Sequence, residues 1–230
     1  MTEPAADPLN DELTAAGFFM LGGFSARPGD QLPDLPGGQP VRSILMIANA
    51  GPDLWNRFSS STEFTDGLAD PLDRYTERCL TGVAERSGRT PLFPFHGPPY
   101  HPFQQWALRA ADLSQSPLGV LVSRAYGPWL GLRAAFLSSE ELRTPQAPAG
   151  EGPCRTCDEK PCIAACPVGA IDAQRGYDTV RCGRHLVTVG DSPCWSGCLS
   201  RSKCPHGQKF APSPEQARFH MNAFLAFFPL

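Results

Sequence analysis

The 230-residue sequence is poor in lysine, with three against 17 arginines, and holds only five histidines and four each of Met, Trp and Tyr. No apolar stretch approaches the ~20 residues that cross a bilayer as a helix, so no membrane span is expected. Concentrated basic charge is missing too. Residues 1–150 carry 11 basic and 16 acidic side chains, and residues 151–230 carry nine and seven, a formal balance of −5 and +2. Neither part is basic enough for a phosphate backbone, so no nucleic-acid partner is expected. The opening Met1-Thr2-Glu3-Pro4 is acidic and has no apolar core, unlike a secretory leader, and a cytoplasmic location is expected. The arginine skew, together with 25 prolines, fits genome composition rather than a function.

Cysteine is what the chain has in excess. There are nine, and eight lie between positions 154 and 204. Cys154, Cys157, Cys162 and Cys166 are separated by two, four and three residues, and Pro167 follows. Thiolates this close on a tight loop can converge on one metal centre. A second, looser run follows: Cys182, Cys194, Cys198 and Cys204, with gaps of 11, three and five residues, then Pro205. Other readings compete. Eight cysteines could form four disulfides, although a signal-free chain argues for a reducing compartment. Zinc also favours Cys-x2-Cys, but usually as separated pairs. Some cysteines could simply be buried apolar residues. That is the reading for Cys79, which stands alone at helical spacing between Tyr75 and Val83.

Along the chain, residues 1–10 read as a loose start. Leu13 to Phe24 reads as a short helix running into a Gly-rich turn, or as a packed loop. Residues 27–40 hold four prolines and three glycines and form a loop. The continuous apolar run Ser43 to Ala50 reads as a strand covered on both faces. Pro52 opens a short helix to Phe58, and Asp70-Pro71 opens another to about Arg86, with Asp70 as its N-cap. Thr90 to Phe95 is extended, and His101-Pro102 begins a helix carrying Phe103, Trp106, Ala107 and Ala110 on one face. Leu118 to Val122 and Leu130 to Leu137 read as strands joined by a hairpin-like connection over 124–128. The last helix opens at Ser213-Pro214, where Ser213 and Gln216 have capping-box spacing, and carries Phe219, Ala223, Phe224 and Phe227.

The cysteine spacing resembles the bacterial ferredoxin run Cys-x2-Cys-x2-Cys-x3-Cys-Pro, expanded by two residues before Cys162. In two-cluster ferredoxins the fourth cysteine of each run ligates the cluster of the other run. The resemblance therefore implies one 4Fe-4S cluster on Cys154, Cys157, Cys162 and Cys204, and a second on Cys182, Cys194, Cys198 and Cys166. Ile163, Val168, Ile171 and Trp195 would limit water near them, and His185 and His206 could bond cluster sulfurs.

The segments Asp70-Pro71-Leu72-Asp73 and Leu118 to Arg133 resemble the cobalamin-processing CblC family. Trp129 and Arg133 match that family's Gly-Trp…Arg pocket region, with Pro128 where the family has Gly. Such a domain followed by paired cysteine runs is also similar to epoxyqueuosine reductase and reductive dehalogenases, which couple a cobalamin-binding, nitroreductase-like domain to two four-iron clusters. The fold class implied is α/β (α+β). A nitroreductase-like domain would span 1–141 and a linker 142–153. A ferredoxin-like module would span 154–212, and a C-terminal helix over 213–230 would pack back on the body.

A corrinoid ring needs a wide pocket of apolar and aromatic groups. Trp106, Tyr126 and Trp129 are the candidates, with Tyr100 and Phe103 near in sequence. Arg133, flanked by apolar residues on a strand, is the candidate polar anchor, since a buried arginine needs partners; Arg109 and Arg124 are further cations. His96 and His101 are candidate axial ligands or proton donors. Asp73 and Asp112 are candidate acids by residue type alone, so no catalytic residue is assigned. The expectation is an iron–sulfur redox protein that exchanges electrons with a protein partner and passes them to a corrinoid, or a flavin, in a corrinoid-dependent reduction. The alternatives are a ferredoxin-like electron carrier without turnover, and a cobalamin-trafficking protein whose clusters are structural.

Overall fold

The computed structural model describes residues 8–142 and 150–227. Most of the expected loose start and linker falls outside them. In chain order the elements are α1 (Pro8–Ala15), β1 (Phe19–Ser25), β2 (Ser43–Asn49), α2 (Pro52–Phe58), α3 (Thr62–Thr65), α4 (Pro71–Arg86), β3 (Thr90–Leu92) and α5 (Phe103–Ala110). They continue with β4 (Leu113–Gln115), β5 (Leu121–Ser123), β6 (Gly131–Ser138), α6 (Pro161–Ala164), β7 (Ile171–Asp172), β8 (Gly176–Tyr177), α7 (Thr179–Thr188), α8 (Leu199–Ser202) and α9 (Pro214–Phe227). Helices and strands alternate without a βαβ crossover, a mixed α+β arrangement.

The chain divides into two compact units that are not simply consecutive. One holds residues up to 112 together with 131–150. The other holds 113–130 together with 151 onward. Residues 113–130, assigned to the first module from sequence order, therefore belong with the cysteines.

The first unit is built on an antiparallel sheet in the order β1-β2-β6-β3. Every residue of β2 is buried, as its unbroken apolar run requires. Helix α5 packs on β1 and β2, and α4 on β3 and β6. Ile44, Met46, Ile47, Phe136, Leu137 and Leu80 are fully buried at the centre. An aromatic group closes one end: Phe58 meets Phe64 edge-on at 5.2 Å and Tyr75 at 5.7 Å.

Three local expectations are corrected. Leu13 to Phe24 forms the end of α1 and then strand β1, which bulges between Met20 and Gly22. Asp70 does not cap α4. Its backbone is left-handed (φ 50°), and its side chain makes no cap bond, because a capping side chain needs an extended backbone at that position. The hairpin of Leu118–Val122 with Leu130–Leu137 does not form. β5 pairs with β4, whereas β6 lies between β2 and β3 in the sheet of the first unit. Periodicity marked both strands but not their partners.

The second unit is short of regular structure. Two small antiparallel ladders, β4 with β5 and β7 with β8, stand among short helices. Ser213 accepts a bond from the Gln216 N–H at 3.2 Å, the expected start of α9. That helix packs on the 3-10 turn Pro193–Ser196 and stacks Phe224 on Tyr177 at 6.2 Å.

Glu63 couples α3 to α4 through Arg78, whose guanidinium holds the carboxyl down at about 2 against an ordinary 4.5. Only 8% of Glu63 is exposed, yet it lies shallow enough that burial, which opposes this shift, is outweighed by the Arg78 bond. A depressed folded-state pKa contributes stability above the unfolded value and loses it as pH falls through the folded one. Glu63→Gln is therefore expected to lower stability at pH 7 and to flatten its decline between about pH 4.5 and 2, measured by urea unfolding across that window.

Candidate metal centre and its surroundings

The second unit gathers its eight cysteines into two groups. Cys154, Cys157, Cys162 and Cys204 line a small cavity of about 30 Å³, walled by Pro117, Leu118, Val122, Pro161 and Pro205. Cys166, Cys182, Cys194 and Cys198 line a larger one of about 220 Å³, walled chiefly by Val168, Ile171, Tyr177, Leu186, Met221 and Phe224. All nine cysteines of the chain are free thiols.

Local chemistry places each sulfur. The Ser114 hydroxyl accepts from the Cys154 N–H at 2.9 Å and donates to the Glu151 carbonyl at 2.9 Å, tying the first cysteine to β4. Cys162 enters α6 directly after Pro161, which fits the first helical turn. The Cys166 sulfur accepts from the Ala170 N–H at 3.2 Å. Cys182 lies on α7, whose start is capped by Asp178 accepting from the Arg181 N–H at 2.9 Å. Ser192 caps the turn that carries Cys194 and bonds the His185 ring at 2.7 Å.

Cys204 reaches the first group because two backbones touch. A Cβ on Gly127 would lie 2.0 Å from the His206 carbonyl oxygen, and one on Gly207 2.1 Å from the Tyr126 carbonyl carbon. Both glycines have positive φ, 59° and 66°, so side chains are excluded on two grounds.

Burial pushes up the thiols of Cys154, Cys162, Cys182 and Cys204. Cys204, Cys162 and Cys157 add to the rise at Cys154, and Cys198, Cys166 and Cys194 to that at Cys182, so each group is also an electrostatic group. Tyr177 is pushed up by burial and by the neighbouring Cys182 thiol. Such thiols are poor free nucleophiles, because the thiolate is the reactive form.

Arg201 on α8 faces the larger cavity. One of its Nη groups donates to the Pro128 carbonyl, and its guanidinium lies over the Trp129 ring at 4.9 Å. Its Nε is buried without a partner. Burial lowers its pKa, and the groups that oppose this are Cys198 and Tyr177, not a carboxylate. The residue as a whole is half-buried, with the four thiols of the larger cavity beside it. Among the described residues no three His, Cys, Asp or Glu side chains close on one point as a single ion requires. Each four-cysteine set lines a cavity instead.

The residues expected around a corrinoid are divided. Trp106 is 1% exposed, and its indole N–H donates to the Asp30 carbonyl at 2.8 Å. It is a core residue of the first unit. Tyr126 and Trp129 belong to the second unit, Tyr126 packing on Phe210 at 5.1 Å and Trp129 under Arg201. Arg133 belongs to the first unit and does have partners. Its Nε donates to Asn49 Oδ1 at 2.7 Å, and Asp73 opposes the burial that draws its pKa down. Burial in turn pushes Asp73 up, against the Arg133 charge. Sequence reading missed Asn49, whose only signal was a buried polar residue ending an apolar strand.

The other candidates are mostly held by local partners. Arg109 pairs with Asp30 and covers the Phe24 ring at 4.1 Å, and Arg124 bonds the Gly152 carbonyl at 3.1 Å. His96 lies 3.4 Å from Glu77, and His101 stacks on Trp106 at 5.7 Å. His185 and His206 line the larger and the smaller cavity. Trp195 lies under Arg218 at 5.3 Å.

No family model matches the chain, and no curated protein matches it. Among solved structures it is similar to the Caenorhabditis elegans B12-trafficking protein CblC, a homologue of human MMACHC, with a TM-score of 0.52 and 14% identity over 93% of this chain and 88% of that one. At that identity the likeness is one of fold. No helix among the described residues is long and apolar enough to cross a membrane.

Protein denatured with chelator present and reductant absent is expected to titrate nine thiols with an aromatic disulfide reagent. A shortfall would mean that disulfides use some of the cysteines. Ser114→Ala should cost about 1–3 kcal/mol in urea unfolding, because it orphans the Cys154 N–H and the Glu151 carbonyl.

Proposed function

We propose that this chain handles a corrinoid and that its second unit holds two 4Fe-4S clusters. The observation that carries the cluster reading is the partition of eight cysteines into two sets of four, each around an apolar-walled cavity. Those are the two sets implied by the ferredoxin resemblance, including the exchange of Cys166 and Cys204. The corrinoid reading is supported by the likeness of fold to a B12-trafficking protein.

In this reading the cysteines bind as thiolates, which a metal centre makes accessible despite their burial. The walls from Val168, Ile171, Leu186 and Met221 exclude water. Backbone N–H groups such as that of Ala170 bond sulfur and stabilise its charge. A four-iron cluster supplies one-electron transfer, and a corrinoid supplies the reductive chemistry of its upper ligand. Arg133, held by Asn49 and balanced by Asp73, is the polar anchor for the corrinoid or for a thiol co-substrate. The reaction class is reductive removal of a corrinoid upper ligand, fed by a redox protein.

The second reading is binding and transfer of a corrinoid without turnover, the clusters being structural. The fold likeness supports this reading more directly than the reductase, since the similar structure is described as a trafficking protein.

Anaerobically purified protein should carry about eight irons and matching sulfide per chain. Zinc in place of iron would remove the cluster reading. Cys162→Ala and Cys194→Ala are each expected to lose about half the iron, because they line different cavities. Added hydroxocobalamin should shift its visible spectrum on binding, and Arg133→Ala should weaken that binding. Binding of every corrinoid and flavin unchanged by Arg133→Ala would remove the anchor. Conversion of bound corrinoid on reduction separates the reductase from the trafficking protein.

A further inference from the structure

The geometry points to Arg201 as the residue that sets the reduction potential of the centre held by Cys166, Cys182, Cys194 and Cys198, acting through its charge and leaving the other centre alone. This rests on the iron–sulfur reading above. Arg201 has the placement for it. Arg201 lines the larger cavity, and its guanidinium is held by the Pro128 carbonyl and lies over the Trp129 ring. Its Nε is buried and unpartnered, and among the described residues no carboxylate forms an ion pair with it.

Reduction adds one electron, and so one negative charge, to the centre, with no bond or proton transferred. A fixed cation in a low-dielectric wall stabilises the reduced form more than the oxidised one, which raises the potential. The exposed arginines of this unit are differently placed. Arg175 is 80% and Arg181 53% exposed at the side chain, so water and salt screen them. At the smaller cavity the cation is Lys160, half-buried, whose Nζ is engaged by the Cys157 carbonyl at 3.0 Å. Arg201 lines the larger cavity and not the smaller one, so its charge acts first on the centre of the larger.

The test is a potentiometric titration of the full-length, iron-loaded protein with dithionite as reductant, followed by electron paramagnetic resonance. Wild type is expected to show two one-electron steps. In Arg201→Gln one step should move to more negative potential, by at least tenfold in its reduction equilibrium, about 59 mV for one electron, while the other stays. Arg201→Lys should restore most of that shift, and Trp129→Phe, which keeps the cation, should leave both steps near wild type. Two unmoved steps in an Arg201→Gln protein with full iron would overturn the proposal, as would equal movement of both.

If Arg201→Gln and the volume-conserving Arg201→Met both lose the iron of this site, Arg201→Lys decides. Iron retained by the lysine variant supports a charge role, and iron lost from it leaves only shape and overturns the proposal. Wild-type protein without iron would instead remove the cluster reading itself.

Discussion

Four thiols around one apolar void must either stay protonated or share an occupant that carries their charge. The second unit is arranged around that constraint twice. Its short helices and paired strands would make a poor core alone. Their common feature is that each delivers a cysteine, or the apolar wall behind it, to one of two cavities. Ser114 fixes the entry of the first run, Asp178 and Ser192 fix the turns of the second, and Gly127 with Gly207 lets Cys204 return to the first group. Among the described residues no carboxylate forms an ion pair with Arg201, which sits beside the larger group.

The first unit solves a different problem. Its central strand β2 is buried along its whole length, so its hydrogen bonds must be met on both edges, by β1 and β6. That requirement draws β6 out of the expected hairpin and into the sheet, and leaves 113–130 to the cysteine unit. Asn49 ends β2 and Arg133 lies near the start of β6. Their bond and the nearby Asp73 make a polar group at the edge of an otherwise apolar sheet.

Some of this was readable in the residues themselves. The unbroken apolar run of β2, the prolines opening α2 and α4, and the Ser213 cap of α9 depend on neighbours within a few positions, so local chemistry fixed them. The pairing of β5, the division of the chain at 113 and 131, the burial of Trp106 and the partner of Arg133 depend on contacts across many residues. Trp106 shows the difference: its helical spacing marked a buried face, but only the packing revealed that the Asp30 carbonyl takes its N–H.

The sequence by itself determined the number and spacing of the cysteines, because covalent order decides which thiols can share a loop. Resemblance implied which four would group together, but only tertiary packing brings those four to one cavity. Cys166 and Cys204 each leave their own run, and close backbone passages such as that of Gly127 against His206 bring distant segments together. Spacing along a chain limits reach, but only packing fixes position.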